Sequence, residues 1–461
     1  MADESFRIDG LDFLRGCAVM GILLANIVLF ALPSPALFNP FTVGTEGPAD
    51  LAAWTFNFLL VDGKMRALFA LLFGAGILLV MESAEMDGRD GVAAHRRRML
   101  WLLPIGLAHY ALLWSGDILL QLAICGLVAT LFVRLDTLNL IKLALALLLM
   151  QWLINLSVAL PGFWLRSAAQ APGAAAETLA HWRLYADQLG IGESATIARE
   201  LAHYRGGYGE ILRDRLVQGP GNILDQLFYA LPELLAFTAL GMAMLKGGFL
   251  AGQWPAGQYR ATWRRALLVG LLPMAGLAAW VLISADPLAA QAASFAWSVP
   301  LRLPLAVALA AMAMEIAARA PDAPLVAGVR AVGRLALSNY LLTSLFMTAI
   351  FYGYGAFSGR AGHVGGDADL LRPVALPAWT RPGRAAVAAA RPGQSVAVAR
   401  SLTRARRIQL VQAWKWRFRG LMGFASIECA ALRVGEKMNF RPGSVDQCEQ
   451  QLFALFVQGA V

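Results

Sequence analysis

The most constraining feature of the chain is a series of long apolar runs that carry almost no charge. The first, "LDFLRGCAVMGILLANIVLF", occupies residues 11–30. A helix needs about 20 apolar residues to cross the roughly 30 Å hydrocarbon layer of a bilayer. The short alternating segments of a membrane β-barrel are absent from the sequence. The chain is therefore predicted to form an all-α, polytopic transmembrane helical bundle.

Nine runs have this character. They lie at about 11–32, 67–83, 99–115, 118–133, 139–160, 222–245, 266–284, 298–317 and 335–354. Residues 51–61 are too short to cross alone and are expected to lie at the interface before the second span. Only 15% of the 461 residues are charged, against about a quarter in soluble domains. A total of about nine or ten spans follows, the tenth being needed to return the end of the chain to the cytoplasm.

The distribution of basic residues predicts the orientation of the bundle. One set of alternate short loops is rich in lysine and arginine, and the opposite short loops near 34–50, 115–117 and 285–296 hold none. The basic set is Arg89, Arg96, Arg97, Arg98, Arg134, Lys142, Lys246, Arg260, Arg264, Arg265, Arg319, Arg330 and Arg334. Because short cytoplasmic loops collect Lys and Arg, we expect the N-terminus to be cytoplasmic.

The same pattern divides the chain into four parts. These are an N-terminal membrane bundle of about five spans (1–161), an extracytoplasmic insert (162–221), a C-terminal membrane bundle of about four spans (222–357) and a basic, low-complexity tail (358–461). The net charge of +9 is assigned to cytoplasmic loops, so membrane lipids and no nucleic acid are the expected partners. The four cysteines form no CxxC pair. Neither a metal site nor a tightly bound cofactor is predicted.

Several polar side chains fall in the predicted outer half of the membrane, where polar groups usually face a bundle interior or a wet cavity. They are Asn26, Lys64, Arg66, His109, Asp117 and Arg302. Each also has a simpler interpretation. The three cations can extend to the interface, His109 can be a satisfied packing residue, and Asp117 can form a solvated turn with Gly116. Their convergence favours one hydrated pocket.

The predicted inner side holds a second group. Asp12 and Arg15 are three residues apart and can form an ion pair on one helix face, or Arg15 can help to bind an anionic donor. Asn339 and Tyr340 are expected near the inner end of the ninth span, where they line the same vestibule or bond to a neighbouring helix. Glu233 falls near mid-membrane and receives no role.

Five stretches of the chain carry a resemblance to a known family. They are "LDFLRGCAVMGILLANI", "GKMRALFALLFGAG", "RRRMLWLLPIGLAHYALLWSGDILL", "GMAMLKGGFL" and "GRLALSNYLLTSLFMTAIFYGYG". Together they cover most of residues 7–357 and resemble the YeiB-type bacterial membrane proteins, the domain-of-unknown-function 418 (DUF418) family. That family is similar to transmembrane acyltransferases. The resemblance implies an inner-membrane protein that moves an acyl group from cytoplasmic acyl-CoA to an extracytoplasmic glycan or lipid acceptor.

The site hypothesis combines this resemblance with the polar residues. The related acetyltransferases carry their catalytic histidine after the first span, where residues 33–50 have none. We therefore assign the base to His109, supported by Asp117. Substrate binding is assigned to Asn26, Lys64, Arg66 and Arg302, and donor binding to Asp12, Arg15 and Asn339. Two alternatives remain: a small-molecule or proton-coupled transporter, and an envelope assembly partner without catalysis.

The resemblance also bears on the tail. Family members continue past "FYGYG" into a last span and a "GPVEWLWRSLT"-like ending, whereas this chain has "QSVAVARSLTRARR". Codons for Val-Ala-Val-Ala can contain, one base over, codons for Trp-Leu-Trp. We infer that about residues 360–400 are read out of frame, and resequencing the gene tests this inference.

Overall fold

The computed structural model describes residues 9–42 and 47–355, which form helices and the turns between them, without a β-strand. The α-helices are α1 (Asp9–Ala31), α2 (Pro48–Phe56), α3 (Lys64–Met86), α4 (Gly91–Ala108), α5 (Leu119–Ala129), α6 (Thr137–Ala159), α7 (Pro161–Ala169), α8 (Ala176–Gln188), α9 (Ala195–Arg205), α10 (Tyr208–Lys246), α11 (Ala256–Ser284), α12 (Pro287–Gln291), α13 (Val299–Arg319), α14 (Pro324–Arg334) and α15 (Ala336–Phe351). The all-α prediction is confirmed. The tail predicted from residue 358, with the inferred out-of-frame segment, lies outside the described residues.

Six helical segments in the described part of the chain are long and apolar enough to cross a membrane. They are α1, the continuous α2–α3 unit, the α6–α7 unit, α10, α11 and α13. The bent pair α14–α15, with an angle of 81° between its halves, makes a seventh if it counts as one span. The multi-pass prediction is thus confirmed, with fewer full-length spans than the nine runs suggested.

The difference in number comes from three short helices. α4 has 18 residues and carries the charged run "HRRR" in its first half. α5 has 11 residues and α15 has 16, against about 20 for a complete span. Each therefore covers only part of the apolar run that predicted it. The structure does not establish which end of the bundle is cytoplasmic, so the orientation stays a prediction.

Glycines bring pairs of long helices into backbone contact. A Cβ atom placed on Gly74 of α3 would overlap the carbonyl oxygen of Thr238 in α10, and one on Gly241 of α10 would overlap that of Leu71 in α3. Small residues such as Gly74 and Gly241 allow this close helix contact. The seam between α3 and α10 holds both helices, and the polar side chains on them, at fixed positions.

Three π-helical turns interrupt the α-helices. They are Asn57–Val61 before α3, His109–Leu113 after α4, and Ala292–Trp297 before α13. A π turn widens the helix and changes which carbonyl groups are available, and such turns are common at functional sites. Each one adjoins a predicted site residue: Lys64, His109 or Arg302.

The first half of α10 covers the connection between α4 and α5. The Tyr208 hydroxyl donates to the Leu112 carbonyl at 2.9 Å, Arg215 Nη1 to the Leu113 carbonyl at 3.0 Å, and Gln226 Nε2 to the Ser115 carbonyl at 3.2 Å. α10 itself runs unbroken through the insert boundary predicted at 221/222. These bonds satisfy carbonyl groups that the end of α4 leaves unpaired.

Candidate functional site

His109 and Asp117 form a buried pair at the α4–α5 connection. His109 Nδ1 lies 2.8 Å from Asp117 Oδ1, and both side chains are 1% exposed. The two atoms are in close contact, but they are not aligned as a hydrogen bond. The opposite ring nitrogen, His109 Nε2, is buried and has no hydrogen-bond partner among the described residues. One ring nitrogen thus lies against a carboxylate, and the other has no polar contact of this kind.

Local backbone structure explains why the pair forms. His109 is the first residue of a π turn, and Asp117 precedes α5. Asp117 Oδ2 accepts a hydrogen bond from the Leu120 amide at 2.7 Å, which satisfies one of the free amides at the start of α5. Asp117 therefore orients the histidine with one oxygen and anchors α5 with the other. It lies deeper than the solvated turn considered as its alternative, since the residue is 2% exposed.

Tyr340 completes the surroundings of this pair. Its ring centroid is 5.0 Å from that of His109, and its hydroxyl accepts a hydrogen bond from the Ile118 amide at 3.2 Å. The sequence left two alternatives for Tyr340, an inner vestibule shared with Asn339 or a bond to a neighbouring helix, and the structure places its side chain against His109 and the start of α5. Asn26 is half-buried one turn beyond Ile22 on α1, and Ile22 packs with Leu119 and Tyr340.

Arg66, Arg302 and Glu233 form a second cluster, in which Arg302 and Glu233 are buried and Arg66 is partly exposed. Glu233 Oε2 is 2.8 Å from Arg66 Nη2, and its Oε1 is 2.8 Å from Arg302 Nη1. Arg302 also donates through Nη2 to the Ser294 carbonyl at 3.0 Å, in the π turn before α13. Arg302 is 5% exposed and therefore does not extend to the interface. Glu233, which received no role from the sequence, is the residue that holds the two arginines together.

Lys64 lies beside this cluster at the start of α3. Its side chain is buried, donates to the Phe58 carbonyl of the preceding π turn, and lies over the Phe58 ring with Nζ 5.4 Å from the centroid. Like Arg302, it thus uses a carbonyl that a π turn makes available. Each of the three cations predicted from the sequence therefore has a partner. Glu233 pairs with Arg66 and Arg302, and carbonyl groups of two π turns accept from Arg302 and Lys64.

The structure therefore resolves the single predicted pocket into two polar centres, the histidine pair and the arginine–glutamate cluster. Gln121 connects the histidine pair to α10, because its Nε2 donates to the Asp117 carbonyl and to Gln226 Oε1, both at 3.1 Å. Gln226 and Glu233 are seven residues apart on α10, which places them on one face about 10 Å apart. The two centres are neighbours along the same helix.

The predicted donor residues lie at the contact of α1 with α14. Arg15 Nη1 is 2.8 Å from Asp12 Oδ1, as the spacing predicted. The Asn339 side chain donates to the Val332 carbonyl at 3.0 Å. A Cβ atom on Gly333 would overlap the Asp12 carbonyl oxygen, so α14 passes directly over this part of α1. The three residues thus lie at one helix junction, and their role in donor binding stays a prediction.

Long apolar helices that enclose two buried polar centres define a multi-pass helical membrane protein. Residues 244–365 match the family described as a protein of unknown function, DUF418. The chain is 32% identical over 354 residues to the uncharacterized protein YeiB of Escherichia coli (strain K12), covering 75% of this chain and 84% of that protein. It therefore belongs to the DUF418 family.

A second relative extends over a similar length. The uncharacterized protein YxaH of Bacillus subtilis (strain 168) is 29% identical over 387 residues, which cover 80% of this chain and 87% of that protein. No solved structure matches the chain. The region matched by the DUF418 family includes Arg302 and Tyr340, one residue from each polar centre.

Proposed function

We propose that this protein is an acyltransferase of the bacterial inner membrane that moves an acyl group from cytoplasmic acyl-CoA to a hydroxyl group of an extracytoplasmic glycan or lipid. The observation that supports it most strongly is the His109–Asp117 pair. A histidine with one nitrogen 2.8 Å from a carboxylate oxygen and the other unpaired resembles the arrangement that general-base catalysis uses. Its burial excludes bulk water, which would otherwise hydrolyse the thioester.

The proposed reaction uses His109 as base and then as acid. His109 Nε2 takes the proton of the acceptor hydroxyl while that oxygen forms a bond to the acyl carbonyl carbon. The tetrahedral intermediate then breaks its carbon–sulfur bond, and the CoA thiolate leaves with the proton from His109. Asp117 stabilises the imidazolium between the two steps. His109 has passed the acceptor's proton to the CoA thiolate at the end of the reaction.

The surrounding residues have supporting roles in this proposal. The arginine–glutamate cluster and Lys64 contribute a local positive field for the negative oxygen that develops in the transition state, and Asn26 contributes hydrogen bonds to the acceptor. At the α1–α14 junction, Arg15 is assigned to the donor phosphates. Arg15 and Ile22 are seven residues apart on α1, or about 10 Å, and Ile22 packs beside Tyr340. When the CoA phosphates bind Arg15, the flexible pantetheine arm spans that separation and brings the thioester to His109.

A proton-coupled transporter is the second candidate, supported by a buried polar chain. Gln151 Oε1 accepts from the Glu233 amide at 3.3 Å, Gln151 Nε2 donates to Asn155 Oδ1 at 2.7 Å, and Asn155 Nδ2 donates to the Phe295 carbonyl at 2.6 Å. This chain connects the arginine–glutamate cluster to the π turn before α13. Buried polar chains of this kind are typical of permeation routes.

The two candidates differ in acyl turnover. The full-length protein in detergent is incubated with an acyl-CoA and a bacterial envelope extract that supplies glycan and lipid hydroxyl groups, and release of free thiol is measured for wild type, His109→Ala and His181→Ala. His181 is an exposed histidine of α8 and serves as the matched control. We expect a loss of about a hundredfold or more in His109→Ala and no change in His181→Ala. Equal turnover in both variants contradicts the acyltransferase, and proton flux into liposomes without turnover supports the transporter.

A further inference from the structure

Arg215, in the first half of α10, is a buried arginine without an acidic partner among the described residues. Its residue exposure is 6%, and none of the ion pairs in residues 9–42 and 47–355 includes it. A buried, uncompensated charge is costly, and buried cations are normally paired. The other buried arginine, Arg302, has Glu233. Arg215 therefore lacks the counter-charge that its environment calls for.

The hydrogen bonds of Arg215 leave one edge of the guanidinium group unused. Nη1 donates to the carbonyls of Ala111 at 3.4 Å and Leu113 at 3.0 Å, which fixes the side chain against the π turn that begins at His109. Nε and Nη2 are buried and have no partner. These two nitrogens form the side of the guanidinium that binds a carboxylate or phosphate with two parallel hydrogen bonds.

A tyrosine beside the unused edge adds a second donor. The Arg215 guanidinium carbon lies 5.8 Å from the centroid of the Tyr352 ring, and the Tyr352 hydroxyl is buried next to the Tyr204 hydroxyl without a well-aligned hydrogen bond in the described structure. Tyr204 packs against Tyr352 with ring centroids 4.7 Å apart. One guanidinium edge and a hydroxyl are thus held in place by the end of α9, α10 and the end of α15.

The apolar surface beside this site indicates where a ligand would come from. Leu112 lies between the two residues whose carbonyls bind Arg215, and it is 49% exposed. Leu216 and Val217, which follow Arg215 on α10, are 61% and 71% exposed. In a membrane protein such an apolar surface faces lipid, so a lipid is the ligand that is present next to the site.

We propose that Arg215 and Tyr352 form an oxyanion-binding site that takes a phosphate group, supplied by the headgroup of a membrane lipid. Two oxygens of one phosphate accept from Arg215 Nε and Nη2, and a third accepts from the Tyr352 hydroxyl. Free phosphate has the same chemistry and is the alternative source. The site does not depend on catalysis by His109, although it holds the π turn on which His109 lies.

The test compares phosphate-bearing and phosphate-free lipids on the full-length protein in detergent. The shift of the unfolding midpoint with added phosphatidic acid, diacylglycerol or inorganic phosphate gives an apparent Kd, since a ligand of the folded state raises the midpoint. The variants are Arg215→Gln, Arg215→Lys and Tyr352→Phe. The matched control is Arg213→Gln, an exposed arginine on the same helix.

Phosphatidic acid is expected to stabilise wild type and Arg213→Gln equally, with no effect of diacylglycerol. Arg215→Gln and Arg215→Lys are expected to weaken binding by about tenfold or more, because lysine cannot form the two parallel bonds. A response to inorganic phosphate that equals the lipid response retains the site and reassigns its source. No phosphate-dependent shift in wild type, or an unchanged Kd in Arg215→Gln, overturns the proposal.

Tyr352→Phe and one additional variant, His109→Gln, keep the test informative. If the Arg215 variants do not fold, Tyr352→Phe retains the ring and the arginine and still removes one donor, so an unchanged Kd contradicts the Tyr352 contact. His109→Gln is expected to bind phosphatidic acid as wild type does. Failure of the acyltransferase proposal and failure of this site are therefore seen in different measurements.

Discussion

At the scale of single residues, Asp117 has two functions that one substitution separates. Asp117→Asn retains an oxygen that can accept from the Leu120 amide, so the start of α5 stays capped. It removes the charge that faces His109 Nδ1 at 2.8 Å. We expect nearly unchanged stability and a loss of acyl turnover of about a hundredfold or more. The measurement is thiol release from acyl-CoA beside an unfolding curve.

The control for this prediction is the same change at another helix start. Asp136 caps α6 by accepting from the Asn139 amide at 2.8 Å and has no contact with a histidine among the described residues. Asp136→Asn should therefore leave turnover intact. Equal turnover in the two asparagine variants would show that the Asp117 charge has no part in the reaction.

The second prediction at this scale concerns the contribution of Glu233 to stability. Glu233→Gln leaves Arg66 and Arg302 without their shared counter-charge, and removal of one partner of a buried ion pair costs about 3–5 kcal/mol. We expect a loss of stability near the lower end of that range, since the Arg66 side chain is 38% exposed. Unfolding in detergent measures it. The exposed Glu82→Gln is the control, and a Glu233 variant as stable as this control contradicts the cluster.

Sequence separation explains which residue contacts could be predicted. His109 and Asp117 are joined by a short connection, so their proximity follows from the chain itself. Tyr340 lies 222 positions from its hydrogen-bond partner Ile118. Hydropathy does not predict the bend between α14 and α15 that brings the two residues together. Glu233 received no role from the sequence, because its two arginine partners lie on other helices and cannot be identified without the packing of α3, α10 and α13.

At the scale of helices, the seam between α3 and α10 gives a direct test of the packing. A methyl group on Gly74 would overlap the Thr238 carbonyl oxygen, whereas one on Gly76 meets nothing within 4 Å. Gly74→Ala is expected to destabilise the protein by about 1–3 kcal/mol. Gly76→Ala, two residues away on the same helix, should be neutral or slightly stabilising, because alanine favours the helix.

Unfolding midpoints of these two alanine variants measure the difference. If Gly74→Ala and Gly76→Ala are equally stable, the backbones of α3 and α10 are not in contact at this seam. Since α3 carries Lys64 and Arg66 and α10 carries Glu233, the arginine–glutamate cluster would then lose its structural basis as well.

Hydropathy located the long helices because it reports apolar length, but it could not locate the π turns. These turns differ from α-helix only in their hydrogen-bond spacing, which leaves the apolar pattern unchanged. The hydropathy of the sequence also did not predict that α5 has only 11 residues. Residues 114–118 look like an exposed turn from their polarity, yet α10 covers them and satisfies their carbonyls with side chains such as Gln226.

At the scale of the whole molecule, the orientation in the membrane is a prediction of its own. In a variant without native cysteines, Glu193→Cys in the insert should react with a membrane-impermeant thiol reagent on intact spheroplasts. Arg97→Cys, in the basic first half of α4, should react only after the membrane is opened. Both positions are exposed. The reverse labelling pattern would place the basic loops outside and contradict the proposed path from cytoplasmic donor to external acceptor.

The most direct measurement is a cryo-electron microscopy map of the full-length protein with a non-hydrolysable acyl-CoA analogue. The acyltransferase proposal predicts density for the reactive end of the acyl group beside His109 Nε2, with the phosphates toward Arg15. Density for the analogue confined to the outer surface, with His109 Nε2 still enclosed by protein, would mean that no acyl group reaches the histidine.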